Sequence, residues 1–341
     1  MRRKGLHCGP AVLALALAAC GGMKDAAAVA DKFVDRYYVE SDQDGALPLS
    51  HLYKLVRTKK VRVNGARAAI AQLLQPGDEI TVHVLQAAQA PPPKPAASVR
   101  QDFKVLYEDE HILAADKPAG LAVHPGSGIS GDTLVDQVRA YLARQGRVTP
   151  EGEFKPSPAH RLDRETSGVV IVAKTRQAMV RLTEMFTAGE TDKTYLALAK
   201  GRFQREEGSI DLRLAEHQQT YASKRQRGVN LQNALTRWRK LAGGPEATLL
   251  ELTIETGRTH QIRRHLEAIG HPVVGDSRYG DFPFNRVAQR QWGLRRMFLH
   301  SIRLALAHPL TRKRLVFESP LPEDLAESLM RAGIHWKTRI S

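Results

Sequence analysis

His160-Arg161-Leu162-Asp163-Arg164-Glu165-Thr166-Ser167-Gly168 runs directly into Val169-Val170-Ile171-Val172-Ala173. The second run is short, β-branched and bounded by Gly168 and Lys174, which predicts a buried strand rather than a helix. The nine residues ahead of it, preceded by Pro156 and Pro158, then form a loop at the mouth of that strand. Asp163 stands in this loop between Arg161 and Arg164. A carboxylate among guanidiniums is held as the anion by Coulomb attraction, which suits a nucleophile or a base near neutral pH. On these nine residues alone, a capping or turn aspartate with solvated arginines reads equally well.

Outward from this strand, further strand-like runs recur at 111–115, 194–199, 248–254 and 299–306, separated by helical segments at 134–144 and 177–187. The alternation is irregular and has no Gly-rich strand-to-helix turn, which disfavours a doubly wound nucleotide fold and leaves an α+β sheet. This domain is expected over residues 101–330, with a short tail at 331–341. A Pro-rich spacer containing Pro91-Pro92-Pro93-Lys94-Pro95 precedes it at 87–100.

The composition of the 341 residues, 42% hydrophobic and 26% charged, is that of an ordinary globular protein. The formal charge of +15 is not ordinary, and it points to a polyanionic partner. Cys8 and Cys20 are the two cysteines, which excludes a disulfide framework and a zinc-ligand spacing.

Residues 31–86 read as a compact module. A helical stripe at Leu49, Leu52, Tyr53 and Val56 is followed by Val61-Arg62-Val63-Asn64-Gly65, which ends in a hairpin signal, and by an alternating strand at 79–84. Lys54, Arg57, Lys59, Lys60, Arg62 and Arg67 fall between His51 and Gln75 with no acidic residue, a concentration that favours phosphate contact over a merely solvated face. Leu52-Tyr53-Lys54-Leu55-Val56-Arg57, Lys60 to Gly65 and Pro76-Gly77-Asp78-Glu79-Ile80 together resemble the S4 RNA-binding domain, although Asp31-Lys32-Phe33-Val34-Asp35 replaces its usual Arg-Leu-Asp opening.

Other segments carry specialised residues. Asp116-Lys117-Pro118-Ala119-Gly120-Leu121 is a rigid loop with a lysine, and Asp192-Lys193-Thr194-Tyr195-Leu196-Ala197 begins a strand. Thr256-Gly257-Arg258-Thr259-His260-Gln261-Ile262-Arg263-Arg264-His265 opens a helix. In that helix Ile262, Leu266 and Ile269 are expected to form the buried stripe, with Gly270 as the stop. Arg263, about 100° around from Ile262, sits beside the stripe and can turn toward a cleft. His260, His265 and His271 are spaced by five and six residues, do not share a helical face, and read poorly as metal ligands.

Taken together and in this order, the loop of Asp163, the Lys-Pro-Ala-Gly-Leu loop, Lys193-Thr194-Tyr195-Leu196-Ala197 and Thr256 to Arg263 resemble the RluA family of RNA pseudouridine synthases, over about residues 103–325. Ile269-Gly270-His271-Pro272, Asp276-Ser277-Arg278-Tyr279-Gly280-Asp281 and Arg296 to His300 look most like its RluC branch, which acts on large-subunit ribosomal RNA. The resemblance implies a mixed, mainly antiparallel sheet with flanking helices, and an isomerase that converts uridine in 23S ribosomal RNA to pseudouridine. It implies Asp163 as the catalytic carboxylate, Tyr195 as the aromatic packing on the target base and Arg263 as the cation paired with Asp163. Arg161 would help to hold the flipped nucleotide, with His160 and Thr166 beside it as substrate contacts. The chemistry detaches, rotates and rejoins the base without redox change, so no cofactor and no metal is expected. RNA is the expected partner, gripped also by Lys224-Arg225-Gln226-Arg227 and by eight basic residues between Asn285 and Phe317 (Arg286, Arg290, Arg295, Arg296, Arg303, Arg312, Lys313, Arg314).

Alternatives to this reading are a related synthase acting on transfer RNA, a non-catalytic ribosome-assembly factor and a periplasmic lipoprotein that binds acidic glycans. The last rests on the N-terminal extension 1–30, where Arg2, Arg3 and Lys4 precede an Ala/Leu run ending in Leu17-Ala18-Ala19-Cys20. An RNA-binding protein has no substrate outside the cytoplasm, so translation from Met23 and a cytoplasmic monomer away from any membrane are expected.

Overall fold

The computed structural model describes residues 56, 61–68, 80–82, 98–125, 132–146, 154–215 and 231–336. The chain divides into two compact units, Met1–Pro93 and Lys94–Ser341. In the first, β1 (Val61–Val63), β2 (Ala66–Arg67) and β3 (Ile80–Val82) form an antiparallel sheet in the order β2-β1-β3. Asn64 and Gly65, with φ of 50° and 77°, make the left-handed two-residue turn that Asn-Gly favours. Val61 and Val63 are buried, while Arg62 between them is exposed and donates to the Gly65 carbonyl at 2.9 Å. Of the expected helix only Val56 is described; Lys54, Arg57, Lys59 and Lys60 lie outside the described residues, as do residues 1–30.

In the second unit the strands are β4 (Lys104–Glu108), β5 (Ile112–Lys117), β6 (Ser157–Pro158), β7 (Ser167–Ala173), β8 (Asp192–Lys200), β9 (Glu207–Asp211), β10 (Leu214–Ala215), β11 (Leu231–Gln232), β12 (Leu235–Gly243), β13 (Ala247–Ile254), β14 (Leu299–Ala307) and β15 (Arg314–Glu318). Ten of them build one sheet in the order β4-β5-β7-β14-β8-β13-β12-β9, with β15 beside β14 and β6 beside β7; β10 and β11 pair separately. The pairing of β7 with β14 is parallel, and the other pairings in this sheet are antiparallel. The fold is thus α+β with a mainly antiparallel sheet, and every residue of β7 is buried.

The parallel join spans two positions, His300 with Ser167 and Ser301 with Gly168. A Cβ on Gly168, whose φ is +117°, would lie 2.1 Å from the Ser301 carbonyl oxygen, so only glycine permits the approach. Helices α1 (Leu134–Arg144), α2 (Arg176–Ala188), α3 (Gln261–Ala268), α4 (Phe282–Trp292) and α5 (Glu323–Arg331) cover the sheet. Alternation along the strands decides which face each covers. Val170, Val172, Tyr195 and Ala197 pack with Leu134 and Val138 of α1 and with Ile262 and Leu266 of α3. On the opposite face Ile171 and Ala173 meet Leu182 and Met185 of α2, and Leu198 and Leu249 meet Trp292 of α4 and Leu325 of α5.

One expected core position is corrected: Ile269 is exposed. It follows the last residue of α3 as the C-cap, where the chain leaves the helical path, and His265 is buried in α3 instead. Among the described residues no helix is long and apolar enough to cross a membrane.

Candidate active site

The strand order brings the separated motifs together. Because β14 lies between β7 and β8, the loop entering β7 crosses the start of β14 next to Tyr195. Arg161, Leu162, Asp163, Thr166 and Tyr195 line one pocket with Ile254, Leu299 and the segment Gly257 to Arg263.

Arg263 is the hub of this pocket. Its Nη1 donates to Asp163 Oδ2 at 2.8 Å, while Nε and Nη2 donate to Asp276 Oδ2 and Oδ1 at 2.7 and 2.9 Å. The planar guanidinium matches Asp276 with a two-pronged contact and still has a donor for Asp163. Asp276 is fully buried, and its Oδ1 also accepts from the Arg278 and Tyr279 amides at 2.8 and 3.1 Å. Burial pushes its pKa up, but the hydrogen bond and charge of Arg263, with those amides, hold it below the usual carboxylate range. The same two carboxylates raise the pKa of Arg263 against the cost of its burial. Tyr279 covers the guanidinium, with its ring centroid 5.0 Å away.

Tyr195 is buried, and burial first, then the Asp163 charge, push its phenol up despite a hydrogen bond with Ser301. It presents a neutral aromatic face to the pocket. Arg161 is exposed at the pocket rim. Thr166 is buried in the wall; its amide donates to the Asp163 carbonyl at 3.1 Å and its hydroxyl has no partner.

His160 is not brought to the pocket. Its Nε2 accepts from the Ile171 amide at 3.0 Å and its ring stacks on Phe186, 4.7 Å between centroids. Burial first, then Lys193, lower its pKa to about 3, so the ring is a neutral acceptor. Beyond residue 168, the edge of β7 is met by β6, Ala159 and His160 rather than by β14. The histidine belongs to this edge and not to the pocket lining, where it was expected as a substrate contact.

The flanking arginines also resolve. Arg164 turns away from Asp163, its Nε donating to the Gly120 carbonyl at 2.9 Å while the Gly120 amide donates to the Arg164 carbonyl at 2.8 Å. Lys117, fully buried, donates to the carbonyls of Pro118, Leu121 and Arg164 at 2.9, 2.8 and 3.1 Å. Burial pulls its pKa down to about 7, against the charges of Glu165 and Asp163. These contacts lash the two loops together. Ser167 is held behind them: its hydroxyl lies 3.0 Å from His300 Nδ1 and accepts from Arg296 at 3.2 Å.

Three residues of the site went unassigned in the sequence. Asp276, quoted in the sequence only as part of a motif, gains its role because the rotation of α3 aims Arg263 at it. Gln261 ties the segment before α3 to β12, accepting from Thr256 Oγ1 at 2.7 Å and donating to the Leu235 carbonyl at 2.9 Å. His260 has its Nε2 3.7 Å from Asp163 Oδ1 and its Nδ1 3.0 Å from the Tyr279 hydroxyl. The other two histidines considered as ligands meet backbone carbonyls, His265 that of Leu212 and His271 that of Lys200. Among the described residues no three His, Cys, Asp or Glu side chains are grouped to hold a metal ion.

The basic cluster is only partly free. Arg296 forms a two-pronged ion pair with Asp324 at 2.6 and 3.0 Å, and Arg314 pairs with Asp192 at 2.9 Å. Arg286 and Arg290 stand exposed on α4.

Comparisons with known proteins show the family. A model of the RNA pseudouridylate synthase family matches residues 111–268, which include Asp163, Tyr195 and Arg263. Ribosomal large subunit pseudouridine synthase C of Vibrio cholerae is 34% identical over 291 residues, covering 84% of this chain and 89% of that protein. Synthase D of Nitrosomonas europaea is 36% identical over 284 residues, covering 82% and 79%, so the C and D branches match about equally. The solved structure of human RNA pseudouridylate synthase domain containing 4 is similar with a TM-score of 0.55 and 25% identity, over 69% of this chain and 94% of that one. With a relative of this identity and coverage, and with that family model matching residues 111–268, the chain belongs to the RNA pseudouridylate synthase family.

Proposed function

We propose that the chain converts specific uridines of large-subunit (23S) ribosomal RNA to pseudouridine, with Asp163 as the catalytic carboxylate. The observation that carries this reading is Asp163 held by Arg263 in a pocket whose wall is Tyr195. Arg263 fixes Oδ2 and leaves Oδ1 directed at the pocket, where it either attacks the sugar carbon or removes a sugar proton. The glycosidic C–N bond breaks, the base turns, a C–C bond forms, and the base nitrogen ends with a proton as its carbon loses one. The base must leave the stack to reach this pocket, where Tyr195 offers the aromatic face and Arg161 a cation at the rim. The names of the relatives, synthases of the ribosomal large subunit, support the choice of RNA.

The S4-like module at 31–86, with Lys54, Arg57, Lys59, Lys60 and Arg62, grips RNA phosphates and contributes target choice in this reading. The site of action is the cytoplasm. Pseudouridine mapping of total RNA from a deletion strain tests the proposal. Specific 23S positions should lose the modification and regain it with the wild-type gene but not with Asp163→Asn. An unchanged map refutes it, and losses confined to transfer RNA move the substrate there.

A further inference from the structure

Asp163 has two oxygens, and only Oδ2 is held by Arg263. Its other oxygen faces the imidazole of His260, with Nε2 at 3.7 Å from Oδ1. His260 occupies the left-handed backbone region, with φ of 53° and ψ of 33°, where residues other than glycine are uncommon. It is the residue ahead of α3, yet its side chain does not cap the helix. The ring is aimed into the pocket by the backbone and fixed there by the Tyr279 hydroxyl, 3.0 Å from Nδ1. Tyr279 is itself placed by Asp276, which accepts its amide, and by stacking over Arg263.

We propose that His260 is a positioning residue for Asp163. With the Tyr279 hydroxyl donating to Nδ1, the ring proton resides on Nε2 and is directed at Oδ1, so the carboxylate is oriented from both of its oxygens. The 3.7 Å contact shortens when the nucleotide enters, as such contacts commonly do on forming the substrate complex. Neutral imidazole is the form required, because an imidazolium would compete with the substrate for the carboxylate's charge. The surroundings maintain it: burial, Arg263 and Arg278 push the ring toward the neutral form, against the charges of Asp163 and Asp276. Tyr279, the other titratable neighbour, is itself kept protonated by burial.

This inference rests on Asp163 being the catalytic carboxylate. The test uses the full chain and a 23S transcript tritiated at uridine C5, measuring single-turnover tritium release, RNA affinity and melting temperature. His260→Phe should lower the single-turnover rate about 100-fold, the scale of a small misplacement of a reacting group, with RNA affinity unchanged. His260→Asn tolerates the left-handed backbone and keeps an N–H donor, so it should recover part of that rate. Tyr279→Phe keeps the ring over Arg263 and loses only the hydroxyl; it should slow turnover less and add nothing to His260→Phe, since both act through one ring. A His260→Phe enzyme with the wild-type rate, or losses that multiply in the double variant, overturn the inference. If His260→Phe fails to fold, an unchanged rate in Tyr279→Phe overturns it. Asp163→Asn separates the two readings: should that variant remain active, it is the assignment of Asp163 that fails.

Discussion

Asp276 accepts two parallel N–H···O bonds from Arg263, at 2.7 and 2.9 Å, and the arginine delivers its third to Asp163 at 2.8 Å. A buried carboxylate with no access to the pocket therefore sets the angle of the one that has it. Asp276→Asn keeps the shape but removes the charge and one acceptor edge, leaving a buried guanidinium under-paired. Stability should fall by about 3 kcal/mol, read by urea denaturation. Turnover should fall with RNA affinity retained, read by tritium release.

Asp163→Asn should bind RNA as wild type and lose at least about 100-fold in turnover, because its amide can neither attack nor accept a proton. Substantial activity in this variant would exclude Asp163 as the reacting group.

Lys117 ties its own loop to the carbonyl of Arg164, one residue past Asp163. Its folded pKa of about 7 lies below the ordinary 10.5, so the unfolded chain binds more protons between these values. Its contribution to stability therefore rises as pH increases from about 7 toward 10.5. Lys117→Met should abolish that increment while destabilising the protein through the Pro118 and Leu121 carbonyls, which lose their donor. Denaturation at pH 7.5 and at pH 9.5 checks both effects, through the difference between variant and wild type.

His160 should matter for folding rather than for RNA. Its folded pKa of about 3 lies below the ordinary 6.5, so stability from this group is lost as pH falls from about 6.5 toward 3. His160→Leu should remove that acid sensitivity, cost about 1–3 kcal/mol by orphaning the Ile171 amide, and leave RNA affinity unchanged. A selective loss of affinity would return the histidine to the substrate.

Salt should separate the arginines that grip RNA from those that hold the fold. Arg286→Ala and Arg290→Ala should each reduce the slope of log affinity against log salt by about 1. Arg296→Ala should leave the slope unchanged and destabilise, since that side chain serves Asp324 and Ser167.

What the sequence reveals follows the range of the forces involved. The apolar run of β7, the helix α1 with its Thr133 and Asp136 capping box, and the Asn64-Gly65 hairpin are local signals, and each is legible. β12 is not, because its outer face carries Arg237 and Arg239, paired across the sheet with Glu255 and Glu251, and an apolar search passes over it. The motifs name Asp163, Tyr195 and Arg263, but the roles of Asp276, His260 and Lys117 depend on how α3 is rotated and where two loops touch. Those are products of long-range packing. Ile269 shows the same limit: helical periodicity holds only while the chain remains helical.

The two-residue join between β7 and β14 also sets a schedule. Asp163 is synthesised more than 130 residues before Ser301, yet the strand that brings its loop beside Tyr195 is β14. A chain still emerging from the ribosome can carry Asp163, Tyr195 and Arg263 while β7 and β8 still lack the strand that lies between them. Assembly of the pocket must wait for Leu299–Ala307, so a chain that stops short of this strand carries Asp163, Tyr195 and Arg263 without the pocket they line.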